Sequence, residues 1–223
     1  MSRAETLPPP LPPATRTVGQ LVAESVRLYQ RRFWPSLAVG LGPGATGLAI
    51  AALRGWPALV FAVTGGALLM TCSYVGATMI AADVRPERRA LLVALAGGVI
   101  AFLPVPFLVR WYVLPAIVWL ALTGLVVPVA LLERRGLLDA FVRALRLARA
   151  DFVHALGSLV TLAIVSLLTA SVLFFLLRGQ AEAALEVAAF LALLVISPLL
   201  FLGAALLYYD QAARADVGRA DAR

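Results

Sequence analysis

PVALLERRGLLDAFVRALRLARADFVHAL, residues 128–156, begins as the end of an apolar run, turns to charge at Glu133, Arg134 and Arg135, and becomes apolar again after an amphipathic segment. Leu137, Phe141, Leu145, Ala148 and Phe152 recur every three or four residues on one helical face, while Arg135, Asp139, Arg143, Arg146 and Arg149 lie on another. A basic amphipathic helix set between two apolar runs is expected to lie in the head-group layer, its apolar face toward hydrocarbon and its arginines toward anionic lipid.

Outward from this stretch the whole chain has the same character. Of 223 residues, 62% are hydrophobic and 14% charged, with a mean hydropathy of +0.93. A soluble domain carries about 25% charged residues. At about 20 residues per transmembrane helix, the apolar runs predict spans over residues 36–53, 56–82, 90–109, 111–132, 154–177 and 183–209. The predicted fold is therefore all-α, a polytopic membrane protein with about six transmembrane helices and two amphipathic helices on one face. Residues 1–16, rich in proline (Pro8, Pro9, Pro10, Pro12 and Pro13), form a flexible tail. Residues 17–209 form the integral membrane domain, and 210–223 a charged tail.

The second amphipathic helix starts at Val18, where Thr17 and Gln20 have the spacing of a capping box. Val18, Val22, Ser25, Tyr29 and Phe33 share one face, opposite Gln20, Glu24, Arg27 and Arg31. In the first span Gly40, Gly44 and Gly47 form a small-residue stripe suited to close helix packing. Pro104, Pro106 and Pro115 around Arg110 predict an irregular hairpin between the third and fourth spans, with one re-entrant segment as the alternative. Pro198 predicts a kink in the sixth.

All 19 basic residues other than His154 are arginines, and their placement predicts orientation. Sixteen lie on the side of the two termini and the amphipathic helices, from Arg3 to Arg223, and only Arg54, Arg110 and Arg178 lie on the other. The positive-inside rule then predicts a multi-pass protein with both termini cytoplasmic, and the use of arginine without any lysine, with abundant Ala, Leu, Val and Gly, points to a GC-rich bacterial genome and so to a bacterial cell membrane. The net charge of +7 does not point to nucleic acid, because the arginines flank apolar runs and form no single soluble patch.

No catalytic, metal or cofactor site is expected. With one histidine and one cysteine, Cys72, no zinc-ligand cluster can be assembled. His154, beside Asp151 at a helix entry, is read as an interfacial packing residue, and no phosphate-binding glycine loop is present. Charged residues are absent from the centres of the six predicted spans, which argues against proton or ion coupling. The candidate contacts to anionic lipid are Arg27, Arg31, Arg135, Arg143, Arg146 and Arg149. Glu133 and Asp139, near Arg134, Arg135 and Arg143, form a candidate head-group pocket made of surface pairs.

Three places carry a resemblance: Arg27-Leu28-Tyr29 leading to Arg32-Phe33-Trp34-Pro35; the series Pro128, Glu133, Gly136, Ala140, Arg143, Leu147, Phe152; and Leu207-Tyr208-Tyr209-Asp210. Together they resemble a family of six-helix prokaryotic integral membrane proteins related to the membrane domain of some glycerophosphoryl diester phosphodiesterases. Ala144 and Ala212 stand where that family has serine and arginine. The resemblance implies a fold and a membrane location, and nothing in the chain resembles the phosphodiesterase catalytic domain. The expected function is that of a non-enzymatic membrane protein that binds membrane lipids, another membrane protein or a second copy of itself, as an accessory subunit. The alternative is a small transporter or permease component for a lipid or apolar solute.

Overall fold

The computed structural model describes residues 12–177 and 182–220. Arg3, Pro8, Pro9, Pro10, Arg178 and Arg223, which enter the readings above, lie outside the described residues. Among the described residues twelve α-helices follow one another: α1 (Val18–Arg31), α2 (Phe33–Val39), α3 (Leu41–Leu53), α4 (Gly55–Phe61), α5 (Ala67–Ala82), α6 (Arg88–Phe102), α7 (Val105–Trp111), α8 (Val113–Thr123), α9 (Val126–Leu132), α10 (Leu137–Ala150), α11 (Phe152–Leu177) and α12 (Glu182–Ala220). Among the described residues there is no strand. Among the described residues six stretches are long and apolar enough to cross a membrane: Phe33–Leu53, Gly55–Ala82, Arg88–Trp111, Val113–Leu132, Phe152–Val172 and Glu186–Val217. The protein is an all-α polytopic membrane protein.

The spans turn where local chemistry dictates. Arg54 (φ 48°) and Gly55 (φ 60°) take two successive left-handed conformations in the tight turn between the first and second spans. Asp83 closes α5 in the left-handed region that aspartate tolerates. Between the third and fourth spans the chain runs α6, Leu103-Pro104, α7, then one extended residue, Tyr112, before α8. Trp119 Nε1 donates to the Ala101 carbonyl at 2.8 Å, tying together two helical stretches that are each long and apolar enough to cross a membrane.

α12 is the spine of the bundle, packing against α1, α2, α3, α5, α10 and α11. Its 39 residues extend about 58 Å at 1.5 Å per residue, against a hydrocarbon core of about 30 Å, so it must project beyond the membrane. The boundary expected at residue 210 is not a helix end, because α12 continues through Asp210 and Arg214 to Ala220. Asp210 and Gln211 are completely buried. The helix also continues through Pro198, which has no N–H for the carbonyl of Leu194. Gly40 sits against that same carbonyl, and a β-carbon there would overlap it, so the absence of a side chain lets the first span approach the oxygen that proline leaves unbonded. Gly44 and Gly47 continue the approach, facing Phe190 and Leu193.

The main core lies toward the arginine-rich end, where Val126, Val127, Val129, Ala130, Leu147 and Leu202 are all fully buried. α10 packs into this core against α6, α8, α9 and α12. The expectation that it lies on the membrane by its apolar face requires correction. Ala140, Ala144, Leu147 and Ala148 are sealed within protein, and Phe141 packs against the same core. The large apolar side chains that α10 leaves exposed are Leu138 and Val142. The residues nearest the buried face are mostly alanines, which permit close helix approach, and a hydrophobic periodicity cannot by itself distinguish protein from lipid as the apolar partner.

α1 likewise packs on its neighbours. Its capping box is formed, with Thr17 N donating to Gln20 Oε1 at 2.8 Å and Gln20 N to Thr17 Oγ1 at 3.4 Å. Leu21 and Ser25 are fully buried, Leu21 clustering with Leu207 while Ser25 lies near Gly203. α1 therefore runs antiparallel to α12. Pro13–Thr15 forms one 3-10 turn before it and also packs on α12, so the part of the N-terminal tail from Pro12 onward is docked and not loose.

Candidate functional site

At the arginine-rich end two polar clusters converge on one stretch of α12. The first is built around Asp210, whose side chain is 0% exposed. Arg16 Nη1 donates to Asp210 Oδ1 at 2.8 Å, and His154 Nε2 lies 3.4 Å from Oδ2. One turn along, Arg214 donates to Asp151 Oδ2 (2.8 Å) and to the Arg16 carbonyl (2.8 Å), with its Nη2 3.4 Å from His154 Nδ1. Because a guanidinium can only donate, this arrangement makes Nδ1 the acceptor and leaves Nε2–H directed at Asp210. Asp151 has a second role: its Oδ1 accepts the His154 backbone N–H at 2.9 Å, the bond of an N-cap on α11. Gln211 Nε2 donates to the Asp151 carbonyl at 3.0 Å. Two arginines thus balance two aspartates across the N-terminal segment, α11 and α12.

The second cluster surrounds Glu133, at the end of α9. Arg143 Nε donates to Glu133 Oε1 at 3.0 Å, Arg135 Nε to Oε2 at 2.6 Å, and Tyr208 Oη to Oε1 at 3.2 Å. Burial raises the Glu133 pKa, but the hydrogen bonds and positive charges of Arg135 and Arg143 outweigh it and hold the carboxyl below its ordinary range. Arg134, in the left-handed region at φ 52°, points elsewhere and pairs with Glu87 at 2.9 Å.

The six arginines expected to meet lipid therefore divide. Arg143, with 15% of its side chain exposed, and Arg135 serve Glu133, and Arg27 pairs with Glu24 at 3.3 Å. Arg31, Arg146 and Arg149 are exposed. Arg135 and Arg143 come together, whereas Arg27 and Arg31 stay on α1. The candidate head-group pocket of Glu133 is an internal knot, with Tyr208 as the partner that the sequence did not reveal. Asp210, Arg16, Arg214 and Asp151 were missed as a group. The i, i+4 spacing of Asp210 and Arg214 was the available signal, since it favours helix beyond Tyr209.

The arginine-poor end is built differently. A cavity of about 890 Å³ lies between α3, α4, α5 and α7, lined by Trp56, Met70, Phe102, Val105 and Arg110 among others. A π-helical turn, Ala62–Gly66, interrupts the second span there, and Ala62 and Gly66 form part of the wall. Such a turn displaces the helix face by one residue and so makes room. A central cavity of about 320 Å³ shares Met70, Phe102 and Val105 with the first and continues past Tyr74 to Leu207. A third, of about 620 Å³, lies among α8, α11 and α12 and shares Ile117, Ala163, Leu193 and Leu200 with the second. Arg110 is the one charged side chain among the described residues that line these three.

With the geometry established, comparison of the chain with protein-family models, curated proteins and solved structures finds no match. Among the described residues no group of three or more histidine, cysteine, aspartate or glutamate side chains is placed to hold a metal ion.

Proposed function

We propose that this chain is a non-enzymatic protein of a bacterial cell membrane that binds lipid within its helical bundle, with both ends of the chain in the cytoplasm. The observation that carries the reading is the set of three adjoining cavities, whose walls are overwhelmingly apolar and whose volumes fall in the range of about 300–1,000 Å³ usual for ligand sites. The polar clusters are occupied by one another and leave no nucleophile–base pair. Among the described residues His154 bonds to Asp210 and Arg214 and to no hydroxyl, whereas a hydrolytic triad would require one. The likeness to the six-helix family related to the phosphodiesterase membrane domain belongs to the same proposal, because the Leu207-Tyr208-Tyr209-Asp210 and Glu133/Arg143 positions that carry it form the two polar clusters.

Native mass spectrometry of protein extracted in mild detergent tests lipid binding. Retained phospholipid adducts are expected, and their absence from the folded protein would overturn the reading. Orientation is tested in a Cys72→Ala background with an impermeant thiol reagent on intact cells. Labelling at Arg54→Cys and protection at Arg88→Cys are expected, and the reverse pattern would place the termini outside.

The adjacency of the cavities, which share lining residues, favours a second reading, passage of a lipid or apolar solute through the bundle. Protein-dependent exchange of a labelled lipid between the leaflets of proteoliposomes would distinguish passage from static binding.

A further inference from the structure

We infer that the cavities take a two-chain phospholipid with an anionic head group, drawn from the leaflet at the arginine-poor end, with Arg110 as the counter-ion of the head. This rests on the lipid-binding reading and adds the chemistry and direction of the ligand.

Charge selects the head. Arg110 lies in the last turn of α7 at the rim of the first cavity, and among the described residues it makes no ion pair or hydrogen bond through its side chain. A cation bordering apolar walls attracts an anion more strongly than one in bulk water, because the low-dielectric surroundings screen it less. Trp56, Trp111 and Tyr112 are exposed at the same end, where aromatic side chains mark the level of lipid head groups.

Shape selects the chains. The α12 wall of the central cavity extends from Leu193 to Leu207, about 21 Å at the helical rise. That exceeds one leaflet's share, about 15 Å, of the hydrocarbon core. Met70, Phe102 and Val105 line both the head cavity and this channel, so the two meet at these side chains. The third cavity borders the channel at the shared side chains Ile117, Ala163 and Leu193, which places space for a second chain beside the first.

The test uses the full chain in proteoliposomes with phosphatidylglycerol or phosphatidylcholine carrying a photoreactive group midway along one chain. Cross-linked residues are mapped by mass spectrometry. Phosphatidylglycerol is expected to label Met70, Phe102 and Leu200. Arg110→Gln should lower that labelling about tenfold, the equivalent of about 1.4 kcal/mol, while leaving phosphatidylcholine unaffected. Val105→Phe, which narrows the passage, should abolish it. Ala163→Leu serves as a second obstruction if Val105→Phe does not fold, with helicity by circular dichroism as the control. Equal labelling of the cavity by both lipids, unchanged in Arg110→Gln, would overturn the anionic selection and leave lipid binding standing. Labelling confined to the outer surface, at Leu168 and Leu176, would overturn both.

Discussion

The two ends of the bundle solve opposite problems. At the arginine-rich end, helices α9, α10 and α12 close over a core of fully buried side chains, and the charges above it neutralise one another with almost no exposure at Asp210. At the arginine-poor end α7 is set off by Pro104, the second span opens through a π-helical turn, and large cavities replace side-chain contact. The difference teaches that apolar composition does not measure packing. Both ends are rich in Leu, Val and Ala, yet at one end protein covers them and at the other empty space or lipid does. Stability should therefore be concentrated at the closed end and binding at the open one.

The largest effect is expected at Asp210. Asp210→Asn would leave the buried Arg16 guanidinium without its counter-ion, and breaking a buried pair in this way costs about 3–5 kcal/mol. Reversible unfolding in mixed micelles measures it, and a loss below about 1 kcal/mol, the scale of exposed pairs, would contradict the closed-end assignment. Next comes Gly40→Val, which forces the first span away from the Leu194 carbonyl and should cost about 1–3 kcal/mol, as overpacking does. The same substitution at Gly19, which has open space around it, supplies the packing control for that measurement.

The Glu133 knot should show a pH dependence smaller than either. Because its pKa is lower in the folded state than in the unfolded chain, the stabilisation is present above the unfolded value and is lost as pH falls through the folded one. Glu133→Gln should flatten the acid side of the melting-temperature profile, whereas an unchanged profile would show that the knot contributes nothing there. Tyr208→Phe removes one hydrogen bond to the carboxylate and should cost about 1.5 kcal/mol. The smallest effect is expected for Asp83→Asn. Its partner Arg32 is 48% exposed and Asp83 itself 74%, so the 2.8 Å pair should be worth about 0–1 kcal/mol.

Much of the architecture was legible because membrane insertion imposes a strong rule on sequence: about 20 apolar residues in series, interrupted by charges where the chain leaves the bilayer. That rule locates the six spans, the Arg54-Gly55 turn and the hairpin around Arg110, and the Thr17/Gln20 spacing locates the start of α1. The sequence also reveals the unequal distribution of arginines, since counting needs no partners. It does not reveal what each arginine does. Arg143 and Arg146 differ by three residues and share one helix, yet one is held by Glu133 and the other is exposed.

What only the tertiary structure decided are the facts that depend on distant pairs. Asp210 reads as the first residue of a polar tail until Arg16, 194 positions away, and His154, 56 away, arrive beside it and make its burial tolerable. The apolar face of α10 reads as lipid-facing until α6, α8, α9 and α12 cover it. The cavities have no sequence signature at all, because a void is defined by side chains on six different spans that fail to meet. Hydropathy is a property of each residue alone, so the sequence can carry it; burial and emptiness are properties of arrangements, so only the fold can.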